Sequence, residues 1–273
     1  MERYQVILAY DGKPFQGFQR QGSSPGEVLT VQGVFEAALR KLGWQGTSIL
    51  AAGRTDTGVH ATGQVVTFDL DWRHSVDDLW KALNAHLPPD LGVQQVQVVP
   101  PGFHPRFDAV ARSYRYTIYH QPARNPLRER YAWRVWPPVE VAHLRQAAAL
   151  LCGTHDFAAF GTPPRAAGST WRTVQQAAWQ DEGDQCRFSV TADAFLYHMV
   201  RRMVYVQVAV AQGRLELSAL LQALDAPFEA TASLPPGLAP PHGLVLANVQ
   251  YLPGWYRARR NLEDQEVQFE QEA

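Results

Sequence analysis

The chain has 273 residues, 46% of them hydrophobic, with 25 basic and 26 acidic side chains and two cysteines. This length exceeds the roughly 100–200 residues of an ordinary domain, so two compact units or one large one are expected. No apolar run approaches the roughly 18 residues of a membrane helix, because Arg201 and Arg202 precede the longest candidate, MVYVQVAVAQG, and no membrane partner is expected. Cys152 and Cys186 lie far apart, and the opening MERYQVILAY has no charged start followed by an apolar run and cleavage site. An intracellular, reduced, cytoplasmic protein is the expectation.

RYQVILAY (3–10) alternates as a strand should, and DGKPFQGFQRQGSSPGE after it is a polar loop carrying two phenylalanines. In VQGVFEAALRKLG the apolar residues 31, 34, 35, 38, 39 and 42 share one helical face, and Gly43 supplies a stop. A short strand is predicted near Ser48–Ala51 and another over Gln64–Leu70, with a loop between them. Ser75 and Asp78 stand in capping-box positions before a helix that Pro88 ends, and VQQVQVV (93–99) is a further strand. The order then begins again. RSYRYTIYH (112–120) reads as a strand and Val141–Cys152 as a helix. Strands follow near Arg172–Trp179 and Gln185–Ala192, then a helix from about Tyr197 to Gln212 and a closing strand Leu244–Leu252. The pattern predicts an α+β protein of two related halves, 1–105 and 106–262, each an antiparallel sheet backed by helices, with a cleft between them. Residues 263–273 form an acidic tail of disordered composition.

That tail carries five acids and no basic residue, so the net charge of −1 conceals a surplus of +4 in the rest. Of the 25 basic residues 22 are Arg, and the stretch from Arg106 to Arg134 holds seven of them among Phe, Tyr and Trp. Planar, bidentate cations interleaved with aromatics suit RNA. Solvated surface faces would read the same from charge alone.

The stretch AAGRTDTGVHATGQ (51–64) concentrates one Asp, one Arg, one His and several small residues. Turn chemistry alone could produce it, since Asp commonly bonds its own backbone. A phosphate loop is excluded, because Val59 and His60 occupy the positions of the required Lys and hydroxyl. The DTG tripeptide also occurs in aspartic proteases, but one copy requires a symmetric dimer, and Arg54 favours an ionised carboxylate over a shared proton. The nine histidines show no zinc-binding spacing, and no metal is expected.

AGRTDTGVHATGQVVTF resembles the signature of the tRNA pseudouridine synthase A family. The similarity extends through YDGKPFQGFQRQ (10–21), LNAHLPPDLGV (83–93), FHPRFDAVARSYRYTIY (103–119), GTHDFAAFG (153–161), WRTV (171–174), FLYHMVRRMV (195–204) and GLVLANVQY (243–251). Departures are Pro105, Tyr197 and Tyr205, standing where the family often has Ala, His and Gly.

The resemblance implies the pseudouridine synthase fold and isomerisation of uridine to pseudouridine at positions 38, 39 and 40 of the tRNA anticodon stem-loop. It implies no cofactor, tRNA as partner and a homodimer. Asp56 is then the catalytic carboxylate, as nucleophile at C1′ or base at C2′. Tyr114 stacks on the uracil, and Arg201 pairs with Asp56 to keep it ionised. Arg54 fills the gap left by the extruded nucleotide. RNA contact extends to Phe103, His104, Arg106 and Phe107, to Gln19 and Arg20, and to Arg165. Arg202 is read as a surface or phosphate-contacting residue, and His60 as a hydrogen bonder that fixes the loop. A non-catalytic RNA-binding module and a dimeric DTG protease are the alternatives.

Overall fold

The computed structural model describes residues 1–20, 28–164, 168–225 and 234–252. Arg165 and the acidic segment 263–273 lie outside them. The chain is α+β and divides into two compact units. The first comprises Met1–Thr55, Ala61–Val110 and Val249–Ala273, and the second Asp56–His60 and Ala111–Asn248.

The first unit is built from β1 (Glu2–Tyr10), α1 (Val31–Lys41), β2 (Leu50–Ala51), β3 (His60–Leu70), α2 (Val76–His86) and β4 (Leu91–Val99). β1 lies between β3 and β4, antiparallel to both, with Val6 opposite Val66 on one side and Val96 on the other. β2 extends along β3. Thr30 caps α1 by accepting from the Gly33 amide, and the helix buries Val31, Phe35, Ala38 and Leu39. Gly43 follows at φ +89°, a conformation open to a residue without Cβ. Ser75 accepts from the Asp78 amide at 3.1 Å, the N-cap half of the capping box, and α2 buries Leu79 and Leu83. β3 begins at His60, earlier than the turn-like composition of Ala61–Gly63 suggests, and it is buried along nearly all its length. Strand pairing overrides local preference there, as half-buried sheets allow.

Glu36 is the polar centre of this unit. Its side chain is 0% exposed, and Oε1 accepts from Gln32 Nε2 at 2.8 Å and from the Ile49 amide at 3.2 Å. Oε2 takes the Arg20 guanidinium at 3.0 Å and faces Arg40 at 3.5 Å. A buried carboxylate is tolerated because both its oxygens are hydrogen-bonded and two guanidinium groups face it.

The second unit contains most of β5 (Ala109–Tyr119), β6 (Trp133–Arg134), α3 (Val141–Leu150), β7 (Gly153–Asp156), β8 (Trp171–Asp181), β9 (Gln185–Ala192), α4 (Met199–Ala211), α5 (Leu217–Asp225) and the greater part of β10 (Leu244–Tyr251). Its strands run β5-β9-β8-β7, each pair antiparallel, with β6 parallel to the end of β5. α3 packs on β8 and on α4. Tyr116, Ile118, Leu144, Phe157, Trp179, Phe188, Val190, Met203 and Val204 form a continuous core. Gln207 interrupts the apolar face of α4 and is fully buried, yet its Oε1 accepts from Trp179 Nε1 at 2.8 Å and its Nε2 donates to the Met203 carbonyl.

Glu36→Leu removes the acceptor from Gln32 and from the buried Ile49 amide, while the half-exposed Arg20 and Arg40 turn to water. It is expected to lower the free energy of unfolding by about 2 kcal/mol. A reduced urea midpoint at unchanged slope would report this.

Candidate active site

Asp56 opens the segment that clusters with the second unit, and a turn shapes it. The Val59 amide donates to the Asp56 carbonyl at 3.1 Å across Thr57 and Gly58, and Gly58 lies at φ +78°. A Cβ there would also stand 3.2 Å from Pro241 Cγ, so both backbone and space call for glycine. Val59 is buried in the second unit's core and anchors the turn. His60 Nε2 lies 3.2 Å from the His242 carbonyl, which fixes the loop's far end.

The carboxylate meets the start of α4. Arg201 Nη1 donates to Asp56 Oδ2 at 2.9 Å, while Arg201 Nε donates to the Ala239 carbonyl at 2.8 Å. The two side chains are 14% and 20% exposed, so the pair is largely shielded from water. His198, the residue before α4, places Nε2 3.4 Å from the same Oδ2. Asp56 Oδ1 has no partner among the described residues. Tyr114 sits on β5 opposite Val190 and packs edge-to-face on Phe195 at 5.0 Å. Desolvation pushes its phenol up to about 12, with Arg112 acting against the rise and Asp56 adding to it, so the hydroxyl stays protonated at neutral pH. Among the described residues no three His, Cys, Asp or Glu side chains are grouped to hold a metal.

A family model described as tRNA pseudouridine synthase matches residues 6–108 and 147–252. The tRNA pseudouridine synthase A of Chloroflexus aurantiacus is 40% identical over 264 residues, covering 94% of this chain and 91% of the relative. That of Moorella thermoacetica is 41% identical over 249 residues, covering 90% and 98%. That of Afipia carboxidovorans is 40% identical over 252 residues, covering 92% and 100%. The chain belongs to the tRNA pseudouridine synthase A family. It is accordingly an isomerase.

For this pseudouridine synthase the remaining candidate residues divide by environment. Arg54 is exposed and has no partner among the described residues. The neighbouring Thr55 is buried, its hydroxyl 2.8 Å from Tyr10 and its carbonyl accepting from the Phe18 amide. Phe107 is 71% exposed with Arg106 over its ring at 5.9 Å. His104 supports both, its Nδ1 accepting from the Arg106 amide at 3.1 Å and its ring lying 4.2 Å from that of Phe107. Phe103 is fully buried against Tyr251, and its ring offers no surface to a ligand. Gln19 is exposed, whereas Arg20 is engaged by Glu36 and the Thr47 carbonyl. Arg202 is half-buried and donates through Nη1 to the carbonyls of Pro235 and Gly237, which makes it a clamp on that segment.

His198 escaped the sequence reading. Within FLYHMVRRMV a lone His looks like part of the helix, yet its φ of +66° places it outside α4. His takes up this conformation more readily than most residues, as Asn and Asp do, but a lone His ahead of a helix is a weaker signal for it than Gly.

His104 and His198 share a consequence. Burial, the largest cause in each, lowers both imidazoles below the usual 6.5, while Asp108 and Asp56 respectively pull the other way. The unfolded chain therefore takes up protons that the fold resists, and stability is full above pH 6.5 and falls as pH drops toward the lowered folded values. His104→Asn keeps an acceptor for the Arg106 amide without a titrating ring. In thermal melts between about pH 7.5 and 5.5 it is expected to lose less stability than wild type.

Proposed function

We propose that this enzyme converts uridine to pseudouridine at positions 38, 39 and 40 of the tRNA anticodon stem-loop, acting as a homodimer. The reading is supported by family membership, with Asp56 and Arg201 inside the residues the family model matches, and by the resemblance of the stretches that hold Asp56, Tyr114 and Arg201 to the family's motifs. The observation that carries it is the ion pair between Asp56 and Arg201 at 2.9 Å. The guanidinium lies against one carboxylate oxygen, and the reaction needs a carboxylate at the ribose.

Asp56 acts at C1′ as nucleophile or at C2′ as base, and either path breaks the N1–C1′ bond. The uracil turns, C5 bonds to C1′, the C5 proton departs and N1 gains one, so product and substrate are isomers. Tyr114 gives the detached base a flat face, and its protonated hydroxyl is a donor near the site. Arg54 enters the gap in the stem, and the exposed Arg106–Phe107 pair supplies charge and a stacking surface for RNA. Gln19 and Arg165 belong to the same proposed contact set. Extrusion costs a few kcal/mol that these contacts offset.

Asp56→Asn is expected to lower the rate of pseudouridine formation on an unmodified tRNA transcript by about 10³-fold or more. Its affinity for the transcript should stay near that of wild type. Mapping pseudouridine in the RNA and measuring binding on the same preparation checks both. Full activity in the variant would overturn the reading, and tRNA binding without modification by wild type would favour a binding module.

A further inference from the structure

The N-terminus of α4 contains a costly feature that the chemistry above does not use. His198 adopts the left-handed conformation, φ +66°, which penalises a residue bearing a Cβ. The surrounding chain holds it there. The Met199 amide donates to the Leu196 carbonyl at 3.2 Å, and the Tyr197 amide donates to the Thr162 carbonyl at 2.9 Å. Gly161 permits that approach, since a Cβ on it would come within 2.4 Å of the Tyr197 carbonyl oxygen. The Arg202 amide donates to the His198 carbonyl at 3.0 Å. Glycine would fit this backbone with less strain. A strained residue fixed by its neighbours points to a use for its side chain.

That side chain faces the carboxylate. We infer that His198 is a positioning residue, converging with Arg201 on Asp56 Oδ2 so that this oxygen is fixed and Oδ1 is presented to the ribose. Nε2 lies 3.4 Å from Oδ2, and Arg201 Nη1 lies 2.9 Å from it. One guanidinium alone lets the carboxyl plane swing about its bonded oxygen. The imidazole edge stands 3.4 Å from that same oxygen without a hydrogen bond to it, and its approach from another residue restricts the swing and aims Oδ1. Tyr197 completes the arrangement, its ring 3.6 Å from that of His198 and tilted by 31°, which limits rotation of the imidazole. Burial favours the neutral imidazole, so the contact adds a dipole without a second full positive charge.

The inference rests on the proposed role of Asp56, and the test separates the two. His198→Gly suits the left-handed backbone but has no side chain, whereas His198→Gln strains the backbone but carries an amide reaching about as far as Nε2. Stability and activity should therefore move in opposite directions. His198→Gly should melt at or above the wild-type temperature yet lose about tenfold or more in kcat on an unmodified tRNA transcript, with KM within about twofold. His198→Gln should melt at or below wild type and recover kcat to within about threefold. The inference is overturned if His198→Gly keeps wild-type kcat, if both variants lose kcat alike, or if the losses fall only in KM. Asp56→Asn runs alongside. Activity in that variant sinks the reading of Asp56 and this inference with it, whereas an inert Asp56→Asn beside a fully active His198→Gly sinks the inference alone.

Discussion

Asp56 is four-fifths covered by protein, and an ionised carboxylate so placed is tolerated only beside a matched cation. Arg201 has the reciprocal problem. It lies in the first turn of α4, where the helix dipole disfavours positive charge, and its side chain is still more covered than that of Asp56. Each group makes the other's position acceptable, which is why neither can be judged alone. The pairing also joins a turn near the start of the chain to a helix 145 positions later. Removing either partner leaves a charge in a poor place, and for fully buried pairs that costs about 3–5 kcal/mol. Residual exposure at this pair reduces the figure.

Much of this was legible in the sequence where a local rule operates. The apolar spacing from Val31 to Leu42 and the Ser75–Asp78 pair are short-range signals, and the corresponding helices begin where those signals put them. α5 carries no such signal, because it is nine residues long and Glu216 precedes it in place of a conventional capping residue. The start of α4 was put two residues early, since nothing in Tyr197–His198 announces a left-handed residue. Asp56, Arg201 and Tyr114 came from the family resemblance, and the contact between the first two is a fact of tertiary structure. Conversely, no pattern tells that Phe103 is sealed beneath Tyr251, or that Arg20 is held by a buried Glu36. Those fates depend on neighbours distant in the chain.

The Tyr205 departure shows the same long-range logic. Where the family usually has Gly, this chain places a phenol stacked on Trp133 at 6.3 Å with Arg214 over its ring. The space comes from Gly237, at φ +134°, whose absent Cβ would lie 2.6 Å from the Tyr205 ring. A large residue on α4 thus depends on a small one in the segment packed beside it, and replacing either alone would cause overpacking or leave a void.

That segment, Pro235–His242, explains how the ion pair is kept in register. Prolines at 235, 236, 240 and 241 have no amide proton, so the stretch is rich in acceptors and poor in donors. Donors come to it from several sides: Arg202 to the carbonyls of 235 and 237, Arg201 to that of 239 and Tyr116 to that of 240. The ring of Pro241 meets Gly58, and the His242 carbonyl meets His60. One proline-rich strip therefore touches the helix that carries Arg201 and the turn that carries Asp56. Its carbonyl on Ala239 occupies the guanidinium edge that Asp56 leaves open, so the arginine can rotate toward neither solvent nor a different acceptor without losing a bond.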